Sequence, residues 1–196
     1  MGQQLIDAFS GPAALFMYAI TAVLAYTIAV MVERFMSFFR WRLPSESTVA
    51  LIQQQNIKAA LEQNTHHPVH GILSAGQNAD TADRAWNSMS AAAVLAEGQI
   101  RQRIASLATA GNIATMLGLL GTVYGLIFAL DGLDQASAVE RTAQLSQGIA
   151  AAMITTAYGL IVGVPALIAH RSLSTNAESH LRHCESSAAA LAATKP

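Results

Sequence analysis

The sequence predicts an all-α membrane protein with three transmembrane helices, the second and third long and extending into a cytoplasmic helical bundle, and it predicts a homo-oligomer. Its 196 residues are 53% hydrophobic and 12% charged, against about 25% charge in a soluble domain. Three stretches, 12–32, 104–130 and 142–169, hold no Asp, Glu, Lys, Arg or His. Each exceeds the roughly 20 residues that a helix needs to cross about 30 Å of hydrocarbon.

The first span opens on Ser10-Gly11-Pro12, a helix start with proline in the first turn. It reads as a retained span and not a cleaved leader, because the residues before it carry Asp7 and no Lys or Arg. Basic residues then orient the chain. Arg34, Arg40, Arg42, Lys58, Arg84, Arg101 and Arg103 lie between the first and second spans, Arg171, Arg182 and Lys195 follow the third, and Arg141 alone falls between the second and third. Basic loops stay in the cytoplasm. The expected layout is therefore an outer segment at 1–11, a span at 12–35, a cytoplasmic helical region at 36–103, a span at 104–130, an outer loop at 131–142, a span at 143–169 and a cytoplasmic tail at 170–196.

In the cytoplasmic region Pro44-Ser45 ends the exit from the first span, and Val49 to Gln63 places Leu51, Ile52, Ile57 and Leu61 on one helical face. NTHHPVHG at 64–71 breaks that helix. No proline then interrupts the chain from Asp80 to the outer loop, so one helix is expected from about Thr81 to Leu130. It would measure ~75 Å, with ~45 Å beyond the bilayer. Such a projection needs the Val49 to Gln63 helix, the tail and other subunits packed against it. The last residues are expected to fray. His66, His67 and His70 read as solvated turn residues, since HHPVH in a loop lacks ligand geometry. The single cysteine, Cys184, sits in no thiol-activating motif and reads as a plain tail residue. No nucleotide-binding loop, nucleophile motif or metal cluster is present in the sequence, so neither enzyme nor cofactor is expected.

Small residues pattern the second and third spans. Ala110, Ala114 and Gly118 follow at i+4 spacing, then Gly121 and Gly125, while Gly159 and Gly163 form a GxxxG pair. In lipid such spacing lets helix backbones approach closely. Pro165 favours a local kink. Asn112, Thr115 and Thr122 fall within one polar face, and Gln144, Gln147, Thr155 and Thr156 give the facing helix its polar points. Each hydroxyl has the option of bonding its own i−4 carbonyl, or of joining copies from other subunits in a ring that hydrates an ion or contacts an inserted helix. Relays across a bilayer commonly use Asp, Glu or His. All three spans lack them, so a titrating carboxylate would have to come from a partner; Glu33 and Asp131 lie only at span ends.

GLLGTVYGLIFAL at 118–130, followed by QGIAAAMITTAYGLIVGVPALIAHR at 147–171, resembles the paired signature of the MotA/TolQ/ExbB ion-channel family, and Glu33-Arg34 is similar to the family pattern as well. Three spans resemble its ExbB/TolQ branch. The resemblance implies a bacterial inner-membrane protein with a periplasmic N-terminus, a pentamer around two helices of an ExbD/TolR-type single-span partner whose membrane Asp carries the proton. It also implies a TonB/TolA-type protein as recipient of the force, contact with membrane lipid and none with nucleic acid. Thr122 and Thr156 match the family threonines that would face the partner's acid, Gly118, Gly121, Gly125 and Gly159 its packing positions, and Pro165 its proline. Ala151 stands where many ExbB and TolQ sequences have Glu. Thr155 stands where many have Ala, and the Thr155-Thr156 pair is similar to sodium-driven members, leaving proton and sodium both open. A non-conducting membrane scaffold is the alternative of a different class.

Overall fold

The computed structural model describes residues 9, 11, 13–41, 48–131 and 137–196. The helix start at Ser10 and Pro12, the Pro44-Ser45 break, most of the 1–11 segment and residues 132–136 of the expected outer loop lie outside these residues, whereas 138–142, expected in that loop, are helical. Among the described residues the chain forms helices without strands: α1 (Ala14–Arg40), α2 (Thr48–Gln53), α3 (Ile57–Gln63), α4 (Val69–Gln77), α5 (Ala82–Arg101), α6 (Ile104–Asp131) and α7 (Ala138–Ala193). Three helical stretches, Ala14–Arg40, Ala82–Asp131 and Ala138–Ala193, are long and apolar enough to cross a membrane. The chain divides into two compact units, one of residues Met1–Met31 with Ala105–His170 and one of Val32–Ile104 with Arg171–Pro196.

The first unit packs the start of α1 against α6 and the first part of α7. Ile20, Ala114 and Val162 form its buried centre, with Val23, Leu24, Leu117 and Tyr158 packed around them. Bulky side chains such as Met116, Leu119, Met153 and Ile161 point outward and are more than 60% exposed. Small residues inside and large apolar residues outside are the arrangement a lipid solvent favours, since lipid tails accept Leu as readily as a protein core does. Helix α7 continues through Pro165, where the missing N–H forfeits one intrahelical bond, to the Ile161 carbonyl.

The second unit is closer to a water-soluble bundle. Ile52, Val69, Ile72, Leu73, Met89, Ile100 and Leu191 are each 1% exposed or less, apolar faces contributed by α2, α4, α5 and α7. Helix α3 is capped by Asn56, whose side chain accepts from the Ala59 N–H, and α5 by Thr81, which accepts from Arg84.

Two expected helices are each broken once. The stretch from Val49 to Gln63 is two helices, separated by a turn in which Gln55 takes a left-handed φ of 59°. The stretch from Thr81 to Leu130 breaks at Gln102 and Arg103, with Arg103 at φ 60°. A left-handed non-glycine residue costs about 1–2 kcal/mol, so tertiary contacts must hold it. Arg103 is ion-paired to Glu33 at 2.5 Å, and Glu33 also pairs with Arg34 at 2.8 Å. The break leaves carbonyls at the end of α5 without helical partners, and Arg34 donates to one of them, that of Gln99, at 3.2 Å.

Two further expectations are corrected in this unit, and a third residue is placed. The chain end is tied down: Lys195 donates to the Gln77 carbonyl at 2.8 Å, and the Ala82 N–H to the Pro196 carbonyl at 3.0 Å. His67 is no solvated turn residue but 4% exposed, because the 64–68 turn folds inward against α7; His66 beside it is exposed. Cys184 is also buried, and burial, aided by the charge of Glu185, pushes its thiol up to about 12.

Candidate functional site

The site predicted from sequence lies on the α6–α7 pair of the first unit. Contacts run in opposite chain directions: Gly111 lies against Gly163, Gly118 against Thr155, Thr156 and Gly159, and Gly125 against Gly148 and Ala152. The two helices are therefore antiparallel, with backbones in direct contact. A methyl group on Gly118 would stand 3.0 Å from the Thr155 carbonyl oxygen and 3.2 Å from Gly159 Cα, and one on Gly159 2.7 Å from the Ala114 carbonyl oxygen. On Gly125 it would meet the Gly148 carbonyl at 2.9 Å, and on Gly121 the Thr155 side chain at 2.7 Å. At Gly163 it would collide with the Thr115 hydroxyl. These are backbone obstacles in most cases, which a side chain cannot swing away from.

The four threonines occupy different environments on this scaffold. Thr155 is wholly enclosed, at 0% exposure, and its hydroxyl donates to the Ala151 and Ala152 carbonyls at 3.0 and 2.9 Å. Expected to add an ion-facing hydroxyl, it instead packs against Gly121 inside the helix pair. A step of 100° along the helix separates it from Thr156, which is half-buried and donates across the pair to the Gly118 carbonyl at 3.2 Å. Thr122, one turn along α6 from Gly118, is half-buried and donates to the Leu119 carbonyl. Thr122 and Thr156 therefore lie within about 6 Å of each other along the pair. Thr115 is exposed, bonded to the Gly111 carbonyl at 3.0 Å.

In each case the hydroxyl proton is committed to a carbonyl while the oxygen keeps lone pairs. Thr122 and Thr156, both half-buried, can thus offer acceptor oxygens to a cation or to a protonated carboxyl group, whereas the Thr155 hydroxyl is enclosed and that of Thr115 lies against Gly163 in the helix pair. Among the described residues no group of His, Cys, Asp or Glu is arranged to hold a metal ion.

Sequence reasoning overlooked three parts of this site. Gly111 and Gly148 extend the close contact at both ends: a methyl group on Gly148 would stand 2.6 Å from the Gly125 carbonyl oxygen. The signal was available, since Gly148, Ala152, Thr155, Gly159 and Gly163 step along α7 by three or four residues. The third is Tyr158, whose hydroxyl lies 3.1 Å from that of Thr21. Thr21 gives its proton to the Met17 carbonyl, so Tyr158 donates and ties α1 to α7.

Comparison with known proteins adds an independent line. The chain is 38% identical over 76 residues to the Tol-Pal system protein TolQ of Haemophilus influenzae, covering 38% of this chain and 32% of that one. It is 37% identical over 83 residues to TolQ of Pseudomonas aeruginosa, covering 42% and 35%, and 36% identical over 87 residues to the biopolymer transport protein exbB1 of Vibrio cholerae, covering 44% and 38%. The matched segment thus spans about a third of the length of these curated relatives. The profile of the MotA/TolQ/ExbB proton channel family, a family of channels and not of enzymes, matches residues 49–186. With three apolar helices and the family match across most of its length, this all-α, multi-pass membrane chain belongs to the MotA/TolQ/ExbB proton channel family.

Proposed function

We propose that this chain is an ExbB/TolQ-like subunit of an inner-membrane ion channel that converts the proton motive force into transport or mechanical work at the outer envelope. It works as a homo-oligomer, a pentamer by family analogy, around an ExbD/TolR-type single-span partner whose membrane Asp carries the proton, with a TonB/TolA-type protein receiving the force. Its N-terminus is periplasmic, and the second unit with the tail is cytoplasmic. The observation that carries this reading is the pair Thr122 and Thr156, two half-buried hydroxyls on a helix pair whose spans contain no Asp, Glu, Lys, Arg or His of their own. They supply acceptor oxygens and no proton-carrying acid, so the acid belongs to the partner.

Sodium is the second reading, supported by the adjacent threonines at 155 and 156. The enclosure of Thr155 weakens it, because one of the two hydroxyls is unavailable to replace a water of the ion's shell. Purification of the full chain from its native membrane tests the proposal. A single-span protein with an intramembrane Asp is expected to copurify, and activity is expected to follow the proton gradient when sodium is replaced. A non-conducting scaffold predicts activity indifferent to both gradients, which would contradict the channel reading.

A further inference from the structure

The second unit contains a cluster of three imidazoles, two buried and one half-buried, that channel function does not use. His67, in the turn between α3 and α4, is 4% exposed and His180, on α7, is 6% exposed. Their Nε2 and Nδ1 atoms are 2.8 Å apart. His183, one turn beyond His180, stands edge-on to His67 with ring centroids 5.2 Å apart. Phe38, in the last turn of α1, stacks flat on His180 at 5.3 Å and 6°.

The hydrogen bonds specify which nitrogens carry protons. The Val69 N–H donates to His67 Nδ1 at 3.1 Å, so this nitrogen is bare and the proton of the neutral ring is on Nε2. That proton is given to His180 Nδ1, which is bare in turn. The His183 Nε2 atom lies 3.3 Å from the Thr48 hydroxyl, which also accepts from the buried Asn64 amide at 3.0 Å. A second proton on His67 would have to sit on Nδ1, against the Val69 N–H. A second proton on His180 would face the Nε2–H of His67. Protonation therefore breaks the contacts that hold the rings together.

Among the described residues no opposite charge acts on these rings. Burial comes first in lowering His67, to about 3, followed by His180 and His183. Burial also leads for His180, with His183 second, and acts alone on His183. The Phe38 face favours a cation on His180, yet the net direction for that ring is down. The other titratable groups on the surrounding elements stand elsewhere. Arg40 on α1 and Lys58 and Glu62 on α3 are exposed, and α2 has none. His70 on α4 is half-buried and does not act on these rings. Glu178, Arg182 and Glu185 of α7 line a groove against Glu97 and Arg101 of α5.

We propose that His67, His180 and His183 form an acid-released catch, which fastens the last part of α7 to the α3–α4 turn and to the end of α1. In the closed state the rings are neutral, and in the open state each takes up a proton with the ordinary histidine value near 6.5. The folded values are lowered, so the catch holds fully above about pH 6.5 and loosens as pH falls below it. Each imidazole that stays neutral in the closed state throughout this range contributes up to about a tenfold rise in the opening constant between pH 7.5 and 5.5, for a total of up to ~10³. The device rests on the second unit alone and stands whether or not the chain conducts protons.

Hydrogen exchange of the full chain in lipid nanodiscs at pH 7.5 and 5.5, scaled for the intrinsic exchange rate, tests this. Residues 64–70 and 177–187 are expected to lose protection together at pH 5.5, by more than tenfold. His183→Gln, which keeps a polar side chain and removes one titrating ring, is expected to reduce that response by about tenfold. Histidine ¹⁵N spectra of the unaltered chain provide a readout that needs no variant: the three rings of the closed cluster remain neutral as pH is lowered through about 6.5. A change in protection below tenfold, or three rings titrating one by one near pH 6.5 without loss of protection, would overturn the proposal.

Discussion

The Thr156 hydroxyl donates to the carbonyl of Gly118 on the facing helix, at 3.2 Å. The bond is possible only because residue 118 has no side chain: a methyl group there would stand 3.3 Å from Thr156 Cα and 3.0 Å from the Thr155 carbonyl. The glycine sets the backbone spacing at which the hydroxyl crosses, and packing and polar chemistry at this level are one feature.

Gly118→Val should therefore force the pair apart, at a cost of about 1–3 kcal/mol. Thermal unfolding in detergent should show a lowered midpoint. Gly98→Ala is the matched control, because nothing lies within 4 Å of a methyl group at that position on α5. It should gain up to about 1 kcal/mol from helix propensity. Equal behaviour of the two variants would mean that the α6–α7 contact is looser than described.

Thr155→Val preserves shape and removes a hydroxyl whose bonds are confined to its own helix. Ion preference, measured as flux in sodium-free against sodium-containing medium, should be unchanged. A switch in preference would place Thr155 in the ion's path.

At the α5–α6 break, Arg103 combines a left-handed backbone with an ion pair to Glu33. Arg103→Ala loses the pair and keeps the strain, whereas Arg103→Gly loses the pair and relieves it. Chemical denaturation should rank glycine above alanine by about 1 kcal/mol. The reverse order would indicate that the helix closes through the break once the arginine is gone.

Cys184 should label slowly. Its folded thiol is raised above the usual thiol range, to about 12, so almost no thiolate is present at neutral pH. The stability it contributes is fully present below about pH 9 and is lost as pH rises toward 12. Maleimide labelling of the native chain at pH 7.5 should be at least about a hundredfold slower than in denaturing detergent. Comparable rates would mean that the last part of α7 is open at neutral pH.

How much of this was legible in the sequence depended on the range of the determining interaction. The second span was expected at 104–130 and α6 runs Ile104–Asp131, because absence of charge is a local property that the bilayer reads directly. The small-residue steps on α6 and α7 were visible for the same reason. The break at Arg103 was not, because nothing between 81 and 130 marks it. The residue that Arg103 pairs with there is Glu33, 70 residues earlier. His67 looked solvated because its partner His180 is 113 residues away. The two threonines at 155 and 156 had equal standing in the sequence, and only the placement of Gly121 against the first and Gly118 against the second separates them.

The central claim is that the half-buried hydroxyl at 156 serves an acid brought by a partner. Proton flux through the purified chain with its copurifying single-span partner in liposomes tests it most directly, comparing the native chain with Thr156→Val and Thr156→Ser at matched complex yield. A loss of about tenfold or more is expected for valine, the scale of one hydrogen bond to a charged group, with substantial recovery for serine. Native flux in Thr156→Val, with the complex intact, would contradict it.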